Sequence, residues 1–209
     1  YASMLLEGSF GNVPAKAKES IERIETSAKH MTLAIEDYLS VSRIESGNLS
    51  ISRIECSIEE IINRAAKSAR LQESNNLKIA LAPGLPTLFA DPPRLETVLR
   101  NLFENAVKYA GEEASIRVEV VASQEKMLTF RVKDNGPGIP PAESERIFQS
   151  FYRLDASLTS VVSGAGLGLA ICQGLIRAHG GEIWAEPQQK GACIAFSIPF
   201  DPSETEKLE

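Results

Sequence analysis

The spacing of apolar residues changes once along this chain, near residue 48, and that change limits what the chain can fold into. From Ala17, the positions Ile21, Ile24, Ala28, Met31, Ile35, Tyr38 and Ser42 recur in alternating steps of three and four. That interval keeps a stripe on one side of paired helices. After Gly47-Asn48 the pattern alternates instead: Leu49, Ile51 and Ile54 read as strand, and Ser57 stands where it would cap a helix through Ile58, Ile61, Ile62 and Ala65. Two units are expected, a helical one over residues 1–48 and a mixed one over residues 49–209.

In the first unit, residues 1–10 are apolar enough for the end of another helix, and Gly8-Ser-Phe-Gly11-Asn12-Val-Pro14 is a turn that suits the start of the next. Such a hairpin has too little apolar surface to stand alone, so its long arm should pack on further helices, most simply those of a second copy, giving a dimeric bundle. The alternative is that the stripe packs against the chain's own second unit. That second unit should hold strands over residues 78–81, 87–90, 115–121, 128–133, 182–185 and 192–198, with helices over 93–109 and 167–178, the last ended by His179-Gly180-Gly181. Helices lying against one face of a mixed sheet make the fold class α+β, an α/β sandwich behind a helical hairpin.

With 209 residues, 43% of them hydrophobic, the chain can hold one domain of ordinary size plus an appendage. Lys and Arg number 22 against 28 Asp and Glu, a net charge of −6 that offers no general attraction for a phosphate backbone, so nucleic acid is not an expected partner. Cys56, Cys172 and Cys193 are odd in number and outside any zinc-ligand spacing, which fits a reducing cytoplasm. No run of about 18 apolar residues suggests a membrane segment. A start at Tyr1 in mid-pattern reads as part of a longer protein, which could itself be a membrane sensor, and Leu208-Glu209 as an expression remnant.

Three segments carry chemistry. Asn101, Asn105 and Lys108 fall at i, i+4 and i+7 on one helix, opposite Leu95, Val98, Leu99 and Leu102. An Asn carbonyl can ligate Mg²⁺ and a Lys can neutralise phosphate, although the same face could simply be solvated. Asp134-Asn-Gly136-Pro-Gly138 is first of all a tight-turn signal. A carboxylate at a strand end can also accept from the exocyclic amine of adenine. Gly164-Ala-Gly166-Leu-Gly168-Leu opens a helix, where bare backbone N–H groups and the dipole favour an anion; a flexible linker is the alternative. It is neither a G-x-x-x-x-G-K-[ST] loop nor a dinucleotide fingerprint.

In this order the segments resemble the ATP-binding catalytic domain of sensor histidine kinases, in the superfamily shared with gyrase, the Hsp90 chaperones and MutL. Asn101 to Tyr109 resembles that family's N box, Asp134 to Gly138 its G1 box, Phe148-Gln-Ser-Phe151-Tyr152-Arg153 its F box and Gly164 to Leu169 its G2 box. Ala178-His179-Gly180-Gly181-Glu-Ile-Trp184 resembles the stretch after G2, and Asp37-Tyr-Leu-Ser-Val-Ser-Arg43-Ile-Glu-Ser-Gly47 the end of the second dimerisation helix.

The resemblance implies ATP and Mg²⁺ as ligands, with Asn105 as the metal ligand, Asn101 and Lys108 facing the phosphates, and Tyr109 lining the nucleotide. It implies Asp134 on the adenine amine beside Gly136, with Gly138 and Ile139 next to the base. Tyr152 and Arg153 would stand at the foot of a lid over residues 154–163, with Arg153 on the phosphates, and Gly164, Gly166, Leu167 and Gly168 would supply the phosphate cradle. Phe148 and Phe151 are expected to pack the lid. Glu104 or Asn101 could assist acid–base chemistry. The partners implied are a second copy through the N-terminal helices and the receiver domain of a response regulator.

One departure stands out. The family's acceptor His, followed by Glu and shortly by Pro, would fall upstream of Tyr1. His30 is followed by Met31 and lies on the outer face of the stripe; His179 ends a helix, where partial charge would favour the dipole. Both read as structural. Ala165 also replaces a frequent hydroxyl residue. The rival classes are a nucleotide-gated clamp of the gyrase and chaperone kind, whose hydrolytic members carry Glu at the position of Asn101, a serine kinase of the anti-sigma type, which lacks so long a heptad hairpin, and a dimerisation scaffold with a decayed site.

Overall fold

A computed structural model describes residues 1–47, 49–69, 71, 76–154 and 165–200; at 29, 30, 33 and 112 it describes backbone only, so the side chain of His30 lies outside the described residues. The chain opens with α1 (Ala2–Leu6) and α2 (Ala15–Glu45), joined through the turn at Gly8 and Gly11, with Pro14 at the start of the second helix. Ser3 Oγ donates to Glu25 Oε1 at 2.9 Å across this hairpin. The heptad stripe faces solvent: Ile24, Met31, Ile35 and Tyr38 are each more than half exposed. A different line of residues on α2, including the buried Val41, turns inward against the rest of the chain.

The mixed unit follows as β1 (Ile54–Cys56), α3 (Ile58–Ser68), β2 (Leu77–Leu81), β3 (Leu88–Ala90), α4 (Pro92–Ala110), β4 (Ile116–Ala122), β5 (Met127–Asp134), α5 (Gly168–Ala178), β6 (Glu182–Glu186) and β7 (Cys193–Pro199). Residues 49–53 are not strand, so the expected alternation beginning at Leu49 reduces to the short β1, which pairs only with β3. In the main sheet the order is β2-β4-β5-β7-β6, with β2 parallel to β4 and every other pair antiparallel.

The period of two sets the core. Val118 and Val120 of β4, Phe130 and Val132 of β5, and Phe196 and Ile198 of β7 are buried. Phe130 and Phe196, paired in register, stack with centroids 4.7 Å apart. The intervening residues form a polar face on which Lys133 pairs with Glu119 at 2.7 Å and Arg131 with Glu186 at 2.9 Å. Against the apolar face pack α3, through Ile61, Ile62 and Ala65, α4, through Leu95, Val98, Leu99 and Leu102, and α5, through Ile171, Leu175 and Ile176.

Local chemistry fixes where these helices begin. Ser57 accepts from Glu60 N at 3.3 Å and Asp91 from Arg94 N at 3.2 Å, N-caps each worth about 1 kcal/mol. Asp91 also accepts from Ser52 N at 3.0 Å, which ties the start of α4 to the chain entering β1. His179 is a further tie: its Nδ1–H donates to Leu175 O at 2.7 Å and its Nε2 accepts from Asp91 N at 3.1 Å. Burial holds its pKa below the ordinary value, so the ring is a neutral strut and not the partly charged helix end that its position suggests.

Candidate functional site

Helix α4 presents Asn101, Glu104, Asn105, Lys108 and Tyr109 to a cleft of about 840 Å³, a size suited to a nucleotide. Asn101 is only 7% exposed and its Nδ2 donates to Gly168 O at 3.3 Å, which links this helix to the start of α5. Glu104 is held by Arg100, one turn earlier, at 3.2 Å. Burial and then the neighbouring Arg153 push the Lys108 pKa down. Two cations brought together with partial loss of water mark a place that an anion would relieve.

The second wall is the end of β5. Asp134 N donates to Ala192 O at 2.9 Å, and Asp134 Oδ1 accepts from Gly136 N at 2.8 Å and Ala192 N at 3.1 Å. Its Oδ2 takes no hydrogen bond from the described residues, so a fixed acceptor faces a cleft that Gly138 and Ile139 also line. Gly136 does not line the cleft; it holds the carboxylate that does. Asn135 braces the turn from outside, accepting from Ser115 N at 2.7 Å and donating to Glu113 O at 3.0 Å.

The third wall comprises Tyr152, Arg153 and Leu154 with Ala165 to Leu169. Tyr152 OH donates to Glu143, and Arg146 stacks over the Tyr152 ring at 4.6 Å while pairing with Glu143 at 3.3 Å. The hydrogen bond to Glu143 raises the Tyr152 pKa. Phe151 N donates to Gly166 O at 3.0 Å, clipping the F-box segment to the glycine segment. Gly164 and residues 155–163 lie outside the described residues.

The two phenylalanines expected on the lid part company. Phe148 is buried in the core, whereas Phe151 is 64% exposed in left-handed backbone with φ 65°.

Asn101, Glu104, Asn105, Lys108, Tyr109, Asp134, Gly138, Ile139, Tyr152, Arg153, Gly166, Leu167 and Gly168 thus meet in one cleft. Sequence reasoning missed Asp37 of α2, Glu143, and the turn Gln188 to Gly191 between β6 and β7. Only the last carries a signal, a polar run ending in Lys190-Gly191. The three cysteines are free thiols; burial pushes the Cys172 pKa up to about 12, which removes it from thiolate chemistry.

Residues 90–202 match the model of the histidine kinase-, DNA gyrase B-, and HSP90-like ATPase family. The chain belongs to this family. Within it the similarity runs to sensor kinases: the chain is 37% identical over 169 residues to the sensor protein KdpD of Escherichia coli, covering 80% of this chain and 19% of that protein. It is 30% identical over 206 residues to the sensor histidine kinase WalK of Bacillus subtilis, covering 96% of this chain and 33% of that one.

Among solved structures, full-length ShkA in complex with AMPPNP superposes with a TM-score of 0.79 at 28% identity, over 95% of this chain and 42% of ShkA. The chain therefore spans a fifth to less than half of these relatives. It is an α+β domain of this ATPase family preceded by a helical hairpin, and the relatives it resembles here are sensor kinases.

Proposed function

We propose that this cleft binds ATP with Mg²⁺ and delivers the γ-phosphoryl group to a histidine of the dimerisation helices, for relay to the aspartate of a response-regulator receiver domain. The observation that carries the reading is the joining, in one cleft, of the paired cations Lys108 and Arg153 with the backbone-anchored carboxylate of Asp134. The first suits a polyphosphate, and the second suits an amine donor such as that of adenine.

Asn105 has the chemistry to hold the metal. Among the described residues no three His, Cys, Asp or Glu side chains gather, so a hard cation here would take most of its oxygens from phosphate and water, as Mg²⁺ does. Bound there, Mg²⁺ neutralises charge on the phosphates. The chain's own part is positioning. Lys108 and Arg153 draw the phosphates in, Asn101 fixes the N-box helix to Gly168, and backbone at Gly166 and Gly168 meets the phosphate oxygens.

Transfer breaks the bond between the γ-phosphorus and the β–γ bridging oxygen and forms a phosphorus–nitrogen bond to the imidazole, leaving ADP. Asn101 has no titratable proton and is committed to Gly168, so the acid–base helper is Glu104.

Residues 1–48 act as part of the dimerisation unit and residues 49–209 as the catalytic domain. The exposed stripe of Ile24, Met31, Ile35 and Tyr38 supports a homodimer. No helix among the described residues is long and apolar enough to cross a membrane, and the cytoplasm is where ATP and a receiver domain would be met.

The test is incubation with labelled ATP and Mg²⁺, with and without a matched chain extended upstream through the acceptor histidine. Acid-labile label on the extended chain is expected, abolished by Asp134→Ala. ATP binding with no transfer to either chain would instead favour a gated clamp.

A further inference from the structure

We infer that Asp37, contributed by α2, is a specificity-determining residue of the cleft and makes it favour the metal complex of the nucleotide over free nucleotide. The inference rests on the nucleotide reading above. It begins with how α2 is seated. Val41 is buried, and Ile44 packs over Gly174, where an added Cβ would lie 2.5 Å from Ile44 Cδ1 and Cγ2. Glycine is a poor helix former, yet here, in the body of α5, it makes the notch that receives Ile44.

Asp37 lies four residues before Val41 and seven before Ile44, on the same face of α2. Seating that face carries the carboxylate into the wall of the cleft that Asn101, Glu104, Asn105 and Lys108 also line, within the field of Arg100 and Glu104.

The charges around it are unevenly settled. Glu104 has Arg100 at 3.2 Å, Glu143 has Arg146 at 3.3 Å, and Asp134 has backbone donors. Asp37 takes no hydrogen bond or ion pair from the described residues. Loss of water raises its pKa more than the pull of Arg100 lowers it. A carboxylate so placed repels a bare polyphosphate, and a divalent cation cancels two of the ligand's charges and is itself attracted. The cleft cations Lys108, Arg153 and Lys190 would draw in the nucleotide with or without metal, and Asp37 is the lining charge that sets the difference between the two.

The experiment is calorimetric titration with ATP in Mg²⁺ and in EDTA, on the chain itself, on Asp37→Asn and on Ile44→Ser, with circular dichroism to confirm the fold of each. The ratio of the two dissociation constants should narrow by at least about threefold in Asp37→Asn, mainly because binding in EDTA tightens, as expected for one like-charge contact partly screened by water. Ile44→Ser should narrow it in the same direction, because Asp37 belongs to the site only while α2 is seated. ATP binding with an unchanged ratio in Asp37→Asn overturns the role of Asp37 and leaves the nucleotide reading standing. No binding by the chain in either solution overturns that reading itself, and this inference with it.

Discussion

The mixed unit and the helical arm both carry periodic apolar residues, at different spacings, and only the mixed unit buries most of them. In the mixed unit, strands β4, β5 and β7 and helices α3, α4 and α5 turn their apolar residues into one core, where Val98, Leu99, Phe103, Phe130 and Phe196 are fully or almost fully buried. Along α2 the stripe of Ile24, Met31, Ile35 and Tyr38 stays in solvent while a narrower line, Asp37, Val41 and Ile44, meets the domain. A periodic stripe announces that a partner exists; it does not say which chain supplies it. The arm thus has two faces, one turned to the cleft and one left in solvent.

The largest effect is expected where the domain has no slack. Gly191 has φ +75°, and an added Cβ would sit 1.8 Å from Asp134 O, against the strand end that carries the cleft's backbone-anchored carboxylate. Gly191→Ala should cost about 3 kcal/mol or more from clash and left-handed strain together, read by denaturant unfolding, and should abolish ATP binding with it. The arm should remain helical. Loss of arm helicity in step with the domain would erase the contrast between the two regions.

Next is the arm's outward face. Ile35→Asp puts a charge into the exposed stripe, and if that stripe joins two copies, the dimer dissociation constant should rise by about 100-fold, roughly 2.7 kcal/mol, in sedimentation equilibrium. The unfolding free energy of the mixed unit should move by less than about 0.5 kcal/mol, because Ile35 is exposed and is not among the residues of the core cluster. A persistent dimer would assign the stripe to some other partner.

What the sequence disclosed follows the same division. Helix α4 and strand β5 were legible because one period governs burial and chemistry at once: Leu95, Val98, Leu99 and Leu102 mark the buried side of the helix that carries Asn101, Asn105 and Lys108. Asp37 was not legible, since its place in the cleft depends on Ile44 finding Gly174, a contact 130 residues apart in sequence with no local signature. Gly136 was legible as part of a site motif but not in its task, because a glycine in a turn does not announce whether its N–H faces a ligand or its neighbour's carboxylate. The strand expected from Leu49 failed because β1 has only the three-residue β3 to pair with, and alternation alone cannot supply a partner.

His179 gives the smallest effect and the sharpest test of how tightly the domain is closed on itself. Its Nε2 accepts from Asp91 N and its Nδ1–H donates to Leu175 O, so the end of α5 is joined to the start of α4 by a ring that must stay neutral to do both. His179→Phe leaves the buried N–H of Asp91 without an acceptor and should cost about 2 kcal/mol near pH 7. Burial holds the native pKa below 6.5, so on acidification the unfolded chain takes up a proton before the native one does. The contribution of the histidine is complete above pH 6.5 and shrinks as pH falls from there toward the lowered native value. The stability gap between the native sequence and His179→Phe, followed by urea unfolding from pH 7 to pH 5, should therefore close as the solution becomes more acid. A gap that stays constant would mean that the ring accepts a proton in place, and that the joint between the two helices lining the cleft is looser than its hydrogen bonds indicate.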